Sequence, residues 1–313
     1  MPRSSDSTHQ HAQRRPHAQA PLGLLLDVDG PIASPVSRSI AIPTITRDLV
    51  RLAAAGVPIV FNTGRSEAFL REEVVGPLLE AGLPEHATVF AVCEKGAVWF
   101  EITAAGMGEV HVDEELAVPG AYGRAIETLV AERFAEHVFY DETKRAMVSV
   151  EQRTDITNEQ YRPVQREFDA LAFAEFERHG LGVTDGEREV AASDGAVDFR
   201  IDATIISTDI ESVLLGKDLG ARRAIEWLER HGTLPVAWRT VGDSRTDYAM
   251  ADWLHEHGFD VAHVDVRPAD GVPEKPYPVL TAVELIHDEA GAAFLSRWVD
   301  MVAGVADDDR DVA

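Results

Sequence analysis

The chain has 313 residues, enough for one large domain or two modest ones, and its 45% hydrophobic and 27% charged content is that of a globular protein with its own core. Lys and Arg number 29 against 54 for Asp and Glu, and the resulting net charge of −25 repels phosphate backbones and anionic headgroups, which excludes nucleic acid and membrane surfaces as partners. An anionic small molecule needs a local cation to hold it, and lysine is confined to Lys95, Lys144, Lys217 and Lys275.

Residues 1–20 carry almost no large apolar side chain and read as a disordered tail. Arg14-Arg15 precedes no usable hydrophobic run, and His9, His11 and His17 read as solvated. Leu24-Leu25-Leu26 then runs into Asp27-Val28-Asp29-Gly30, a short buried strand stopping on two carboxylates, where open α/β sheets bind ligands. Asp27 and Asp29 share a face of an extended chain, and like charges that close call for a cation or a shared proton. For this pair alone, a polar exit from a strand is the plain alternative. A calcium loop fits poorly, because its glycine stands sixth and Gly30 stands fourth.

Thr46 caps a predicted helix carrying Leu49, Val50, Leu52 and Ala53, which stops at Gly56, and 57–61 is a second strand. A strand, helix and strand of this length form a βαβ unit that sets Asn62-Thr63-Gly64-Arg65 beside the Asp27 loop. A helix follows from Ser66, and 87–93 is a third strand. Its Cys93 is the sole cysteine, which excludes an intrachain disulfide, reads as a small buried apolar residue and fits a reducing cytoplasm.

Over 96–207 the pattern changes. Strands at 97–101 and 109–112 precede a helix from Pro119 with Tyr122, Ile126, Leu129, Val130 and Phe134 inward. A strand at 146–150, a long helix through Val164, Phe168, Leu171 and Phe176, and short strands over 182–206 follow. Hairpins with two helices make an α+β layer, here inserted into the first domain. The βα alternation then resumes. Lys217 precedes a helix with Leu219, Ala224, Ile225 and Leu228 inward; the strand 236–241 ends in Gly242-Asp243-Ser244-Arg245-Thr246-Asp247; a helix over 245–257 and a strand over 261–266 follow. A final helix sets Val283, Ile286, Ala290, Phe294 and Trp298 on one face, and 304–313 reads as a solvated acidic tail. The expected architecture is α/β: a doubly wound parallel sheet built from 21–95 and 208–303, with an inserted α+β cap over 96–207. No stretch reaches the ~20 apolar residues of a membrane helix.

Asp27 with Asp29, Thr63, Lys217, and Asp243 with Asp247 thus fall at strand ends or helix starts on one edge. Each has a plain reading alone: a turn at Thr63-Gly64, a solvated Lys217, helix caps at Asp243 and Asp247. Four carboxylates against one ammonium would leave a partly dry cleft strongly anionic, and a divalent cation resolves this. Hard oxygen ligands select Mg²⁺. The ion and Lys217 would hold a phosphoryl group while an aspartate attacks it.

Asp27-Val28-Asp29-Gly30, Asn62-Thr63-Gly64-Arg65, Lys217 and Gly242-Asp243-Ser244-Arg245-Thr246-Asp247 resemble, in order, the four motifs of the haloacid dehalogenase superfamily. The insertion resembles the large cap of its Cof-type, sucrose-phosphate and mannosyl-3-phosphoglycerate phosphatases. The resemblance implies that Asp27 is the nucleophile and Asp29 the general acid and base, and that Thr63, Gly64 and Lys217 bind phosphate. It implies that Asp27, the Asp29 carbonyl and Asp243 ligate Mg²⁺, with Asp247 in or just behind that shell. The implied activity is a cytoplasmic phosphatase acting on a small phosphorylated metabolite, a sugar or polyol phosphate. A mutase resembling phosphomannomutase is the alternative, and a phosphometabolite-binding protein without catalysis is a third. Three positions depart from the family pattern: Thr246 stands where Asn is common, Pro31 follows Gly30, and Glu94-Lys95-Gly96 replaces the usual Asn-Gly at the cap entrance. Lys144, Arg145 and Arg200 are the cationic candidates for a second anionic or hydroxyl-rich part of the substrate.

Overall fold

The computed structural model describes residues 20–232 and 234–309, so the tail read over 1–20, Ala20 apart, and residues 310–313 of the acidic end lie outside the described residues. The chain begins β1 (Leu22–Leu26), α1 (Pro43–Ala54), β2 (Ile59–Asn62), α2 (Glu67–Leu70), a π turn at Arg71–Val75, α3 (Gly76–Glu80), β3 (Val89–Cys93), a 3-10 turn at Glu94–Gly96, β4 (Val98–Thr103), β5 (Gly106–Met107) and β6 (His111–Val112). There follow α4 (Gly120–Leu129), a π turn at Val130–Phe134, β7 (Val138–Tyr140), β8 (Val148–Gln152), α5 (Asn158–His179), β9 (Val183–Thr184), β10 (Glu189–Val190), β11 (Phe199–Ala203) and β12 (Ser207–Ser212). The last part is α6 (Lys217–His231), β13 (Ala237–Gly242), a 3-10 turn at Arg245–Asp247, α7 (Tyr248–Glu256), β14 (Asp260–Asp265), a 3-10 turn at Pro268–Asp270, β15 (Val279–Leu280) and α8 (His287–Val302).

The first sheet has the order β15-β14-β13-β1-β2-β3-β4-β5, with β6 also on β4; β1, β2, β3, β13, β14 and β15 run parallel, and β4 turns back antiparallel. Its helices explain why β1 is apolar at every position. Leu24 and Leu26 join a core with Ile45 and Leu49 of α1 and Phe294 and Trp298 of α8. Leu25, on the opposite face, packs with Ala224 and Ile225 of α6 and Met250 and Leu254 of α7. A strand covered on both faces needs no polar alternation. Each leucine is fully buried and contributes about 1.5–3 kcal/mol. Leu26 stands level with Phe61 of β2 and Val241 of β13. The residues that follow, Asp27, Asn62 and Gly242, therefore leave the sheet side by side.

The second sheet, β10-β9-β11-β12-β8-β7, is covered on one face by α4 and α5, with Tyr122, Phe134, Phe168, Phe176, Val148, Val150, Ile201 and Ile210 in its core. Strand alternation turns Ser149, Glu151, Asp209 and Glu211 to the other face. That face meets the first sheet: Glu151 comes 3.7 Å from Arg65, and Lys95 pairs with Asp209 and Glu211 at 3.2 and 2.8 Å.

Several sequence expectations change. The strands 98–112, placed with the insertion above, extend the first sheet by pairing with β3, so the second sheet begins only at β7, a strand not anticipated. Thr46 does not cap α1; Pro43, whose missing N–H costs nothing in the first turn, starts the helix three residues earlier. Val283 and Ile286 precede α8 and are exposed, because Glu284 and His287 at φ 63° and 51° break the helical path there. The acidic end is not wholly solvated: Asp309 is buried, accepts a hydrogen bond from Trp298 Nε1 at 2.9 Å and pairs with Arg239. Cys93 is buried as expected, and among the described residues no helix is long and apolar enough to cross a membrane.

Candidate active site

The site is organised by the first residue of α6. Lys217 Nζ donates to Asp27 Oδ1 at 2.6 Å and to the Asn62 carbonyl at 2.8 Å, and pairs with Asp247 Oδ1 at 2.7 Å. One ammonium thus ties together the ends of β1 and β2 and the turn after β13. Asp247 turns its other oxygen back on its own loop, accepting from the Ser244 N–H at 2.9 Å and the Ser244 hydroxyl at 2.7 Å. Two glycines allow the loops to close this far. Gly30 has φ +94° and a Cβ there would lie 2.8 Å from the Asp243 carboxyl carbon; a Cβ at Gly242 would lie 2.1 Å from Asp247 Cβ.

The charges are not balanced. Burial pushes Asp27 well above the usual carboxylate range, Lys217 opposes this, and Asp247 and Asp29 add to it. Burial would also raise Asp247, but Lys217 and the Ser244 donors outweigh it and hold Asp247 low. Asp243 is pushed up to about 6 by burial and the field of Asp247. One oxygen from each of Asp27, Asp243 and Asp247 lies within 4.8 Å of the others. Three converging carboxylates against Lys217 and, 3.8 Å from Asp243, Arg267 retain negative charge in a largely buried setting, and the donors are hard oxygens, so the residues fit a small divalent cation such as Mg²⁺.

Thr63 is fully buried; its N–H donates to the Val92 carbonyl at 2.9 Å and its hydroxyl accepts from the Arg65 N–H at 3.1 Å, which closes the Thr63-Gly64 turn at the end of β2. Asp29 stands apart from the three clustered carboxylates. It is held by a two-pronged contact from Arg65, whose Nε donates to Oδ2 and whose Nη2 donates to Oδ1, both at 2.9 Å. Arg65 is in the Asn-Thr-Gly-Arg stretch, but no local pattern points to its role, because its partner lies 36 residues away beyond the neighbouring strand. Asn62, Glu151 and Glu94 were missed for the same reason.

The three cationic candidates from the inserted region separate. Arg145 pairs with Glu67 of α2, and Arg200 donates to Glu211 at 2.5 Å and to the Leu215 carbonyl at 2.7 Å. Both are thus held by protein partners. Lys144 alone of the three reaches the site, its Nζ donating to the Gly64 carbonyl at 2.6 Å.

The parallel sheet with carboxylates just beyond the ends of β1 and β13, Lys217 at the start of α6 and an α+β layer set into the chain make a fold that solved structures share. The chain is similar to the C-terminal domain of trehalose-6-phosphate phosphatase from C. albicans (TM-score 0.55, 14% identity, covering 92% of this chain and 94% of that one). It is similar to a haloacid dehalogenase-like hydrolase from Bacteroides thetaiotaomicron (0.54, 11%, 90% and 100%) and to IMP-nucleotidase from Plasmodium falciparum (0.52, 10%, 94% and 64%). No protein-family model and no curated protein matches the sequence. At these identities the likeness establishes the fold.

Proposed function

We propose that this protein is a Mg²⁺-dependent phosphatase that hydrolyses a small phosphorylated metabolite, a sugar or polyol phosphate, through a phosphoaspartyl intermediate on Asp27. The observation that carries the reading is Lys217 Nζ held between Asp27 and Asp247, with Asp243 adjoining them. A structural ion pair needs one carboxylate per ammonium. Three carboxylates facing Lys217, with Arg267 at 3.8 Å from Asp243 as the second cation, still keep a net negative charge at the mouth of the sheet and make a receptor for a cation and a phosphoryl group. The fold neighbours include a trehalose-6-phosphate phosphatase and a nucleotidase, which supports a phosphoester substrate. The inserted layer keeps its resemblance to the caps of Cof-type and sucrose-phosphate phosphatases within this reading.

Asp27, the Asp29 carbonyl and Asp243 would hold the ion, with Asp247 beside them, and bound there it neutralises phosphoryl charge and favours the ionised form of Asp27. The Thr63 hydroxyl and the Lys217 ammonium bind phosphoryl oxygens, with Gly64 shaping the turn. An Asp27 oxygen bonds to phosphorus as the ester oxygen departs, and Asp29 gives that oxygen a proton. Asp29 then takes a proton from water, the water oxygen bonds to phosphorus, and the acyl-phosphate bond breaks to return Asp27 and inorganic phosphate. In the Arg65 contact Asp29 is a hydrogen-bond acceptor, suited to the second half; to donate in the first half it must leave Arg65.

Phosphate release from a panel of sugar, polyol and glycolate phosphates, measured with Mg²⁺ or with chelator for wild type and Asp27→Asn, tests the reading. Release that requires both Mg²⁺ and Asp27 is expected. A folded, Mg²⁺-binding protein that releases nothing from any ester would overturn it.

A further inference from the structure

The turn that leaves β3 is built for a purpose the phosphatase reading does not use. Glu94 is fully buried at φ 49°, and Lys95 beside it is at φ 53°, so two consecutive non-glycine residues hold left-handed backbone. Such a pair persists only where its surroundings over-determine it. What fixes Glu94 is its carboxylate: Oε1 accepts from the Arg145 N–H at 2.9 Å, and Oε2 accepts from the Ala146 and Met147 N–H groups at 2.8 and 2.9 Å. One side chain of the first sheet's turn thereby collects three successive backbone donors of the segment that enters β8. Val118, at the entry to α4, donates to the Ala146 carbonyl at 2.8 Å and ties the same segment from its other side.

The residue preceding those donors is Lys144, and its Nζ lies on the Gly64 carbonyl at 2.6 Å. Among the described residues no carboxylate lies within 4.0 Å of Lys144 Nζ, although its charge acts on Glu151 and Asp209, whereas Lys95, Arg145 and Arg200, its basic neighbours at this junction, each pair closely with carboxylates. Thr143 next to it donates to Ser66 Oγ at 2.7 Å, so the tip of this segment is pinned to the Thr63-Gly64-Arg65-Ser66 turn by two side chains. That turn is the one assigned to the phosphoryl oxygens.

We propose that Lys144 is a second phosphoryl-binding cation, delivered by the inserted layer onto the Thr63-Gly64 turn, and that Glu94 is the positioning residue that sets it there. The inference rests on the phosphatase reading and changes the role first given to Lys144. The ammonium faces the phosphate turn and not the distal part of a substrate, so its contribution is common to all phosphate esters. An ammonium is a compact charge suited to this task, and a carboxylate with three backbone donors is a rigid anchor for the segment that carries it.

The test uses the full chain and inorganic phosphate with Mg²⁺, titrated by calorimetry, so that it does not depend on turnover. Lys144→Met is expected to weaken phosphate binding about tenfold, the scale of one lost charge-assisted contact, and Lys144→Arg to recover part of it. Glu94→Gln keeps one accepting oxygen but sets an NH2 donor against at least one of the three N–H groups and is expected to give a similar loss; combined with Lys144→Met it adds little more, because both changes remove the same cation. If esters are hydrolysed, KM rises in Lys144→Met by one factor whatever the leaving group. Unchanged phosphate affinity in Lys144→Met, multiplied losses in the double variant, or a KM effect confined to one leaving group each overturns the inference while ester hydrolysis by wild type still upholds the phosphatase reading. A wild type that neither binds phosphate nor hydrolyses any ester removes both.

Discussion

Replacing Gly220 by alanine probes how tightly α6 is fitted to the end of β2. A methyl group there would lie 2.0 Å from Asn62 Oδ1 and 2.5 Å from its Cγ, against an ordinary contact of 3.4–4 Å. Asn62 cannot give way without loss. Its Nδ2 donates to the Lys217 carbonyl at 2.8 Å and its carbonyl accepts from Lys217 Nζ at 2.8 Å. Alanine in a helix gains about 1 kcal/mol over glycine. Overpacking costs about 1–3 kcal/mol, and a broken buried hydrogen bond about 1 kcal/mol more. The variant should therefore lose about 1–3 kcal/mol in urea unfolding. A shift of about 1 Å carried to Lys217 should lower kcat on the order of a hundredfold in phosphate release. Gly123→Ala in α4 is the control. Its nearest neighbour, Tyr140 Oη, is at an ordinary 3.5 Å, so only the helix-propensity gain of up to about 1 kcal/mol applies. A Gly220→Ala protein as stable and as active as wild type would refute the packing argument.

Two further outcomes follow from shifted titrations. Asp243, raised to about 6, must shed its proton to ligate a cation, so apparent Mg²⁺ affinity by calorimetry should fall about tenfold per pH unit below that value and stay weak at every pH in Asp243→Asn. Equal affinity at pH 5 and 7.5 in wild type would count against Asp243 as a ligand. Burial lowers His263 to about 4 despite the nearby aspartates, and its Nδ1 lies 2.7 Å from Thr240 Oγ1. The unfolded chain takes up this proton near pH 6.5, so the contribution is present above that value and is lost as pH falls toward 4. His263→Gln should shrink the stability difference between pH 7 and pH 4.5 by about 2 kcal/mol, measured by urea unfolding; an unchanged difference would mean the ring is protonated in the fold.

The amino-acid sequence alone determined the sheet and the edge at which Asp27, Lys217, Asp243 and Asp247 gather. The unbroken apolar run before Asp27 specifies a strand covered on both faces, and strand-to-loop transitions at Asn62-Thr63-Gly64 and Gly242-Asp243 mark the edge where parallel strands must end together. Local signals suffice there because a strand's period and its stop are written within a few residues. Elements whose partners are distant in the chain were decided only by packing. The strands 98–112 look alike whether they extend the first sheet or open the second, and hydrogen bonding to β3 chose between them. That Glu67 and Glu211 are the partners of Arg145 and Arg200, and that Asp309 is buried against Trp298 and Arg239, follows only from the packing. Arg65 on Asp29 and Glu94 beneath residues 145–147 belong to the same class. A charged side chain takes its role from the partner that relieves its burial, and that partner is chosen by the approach of two layers, which no local pattern encodes.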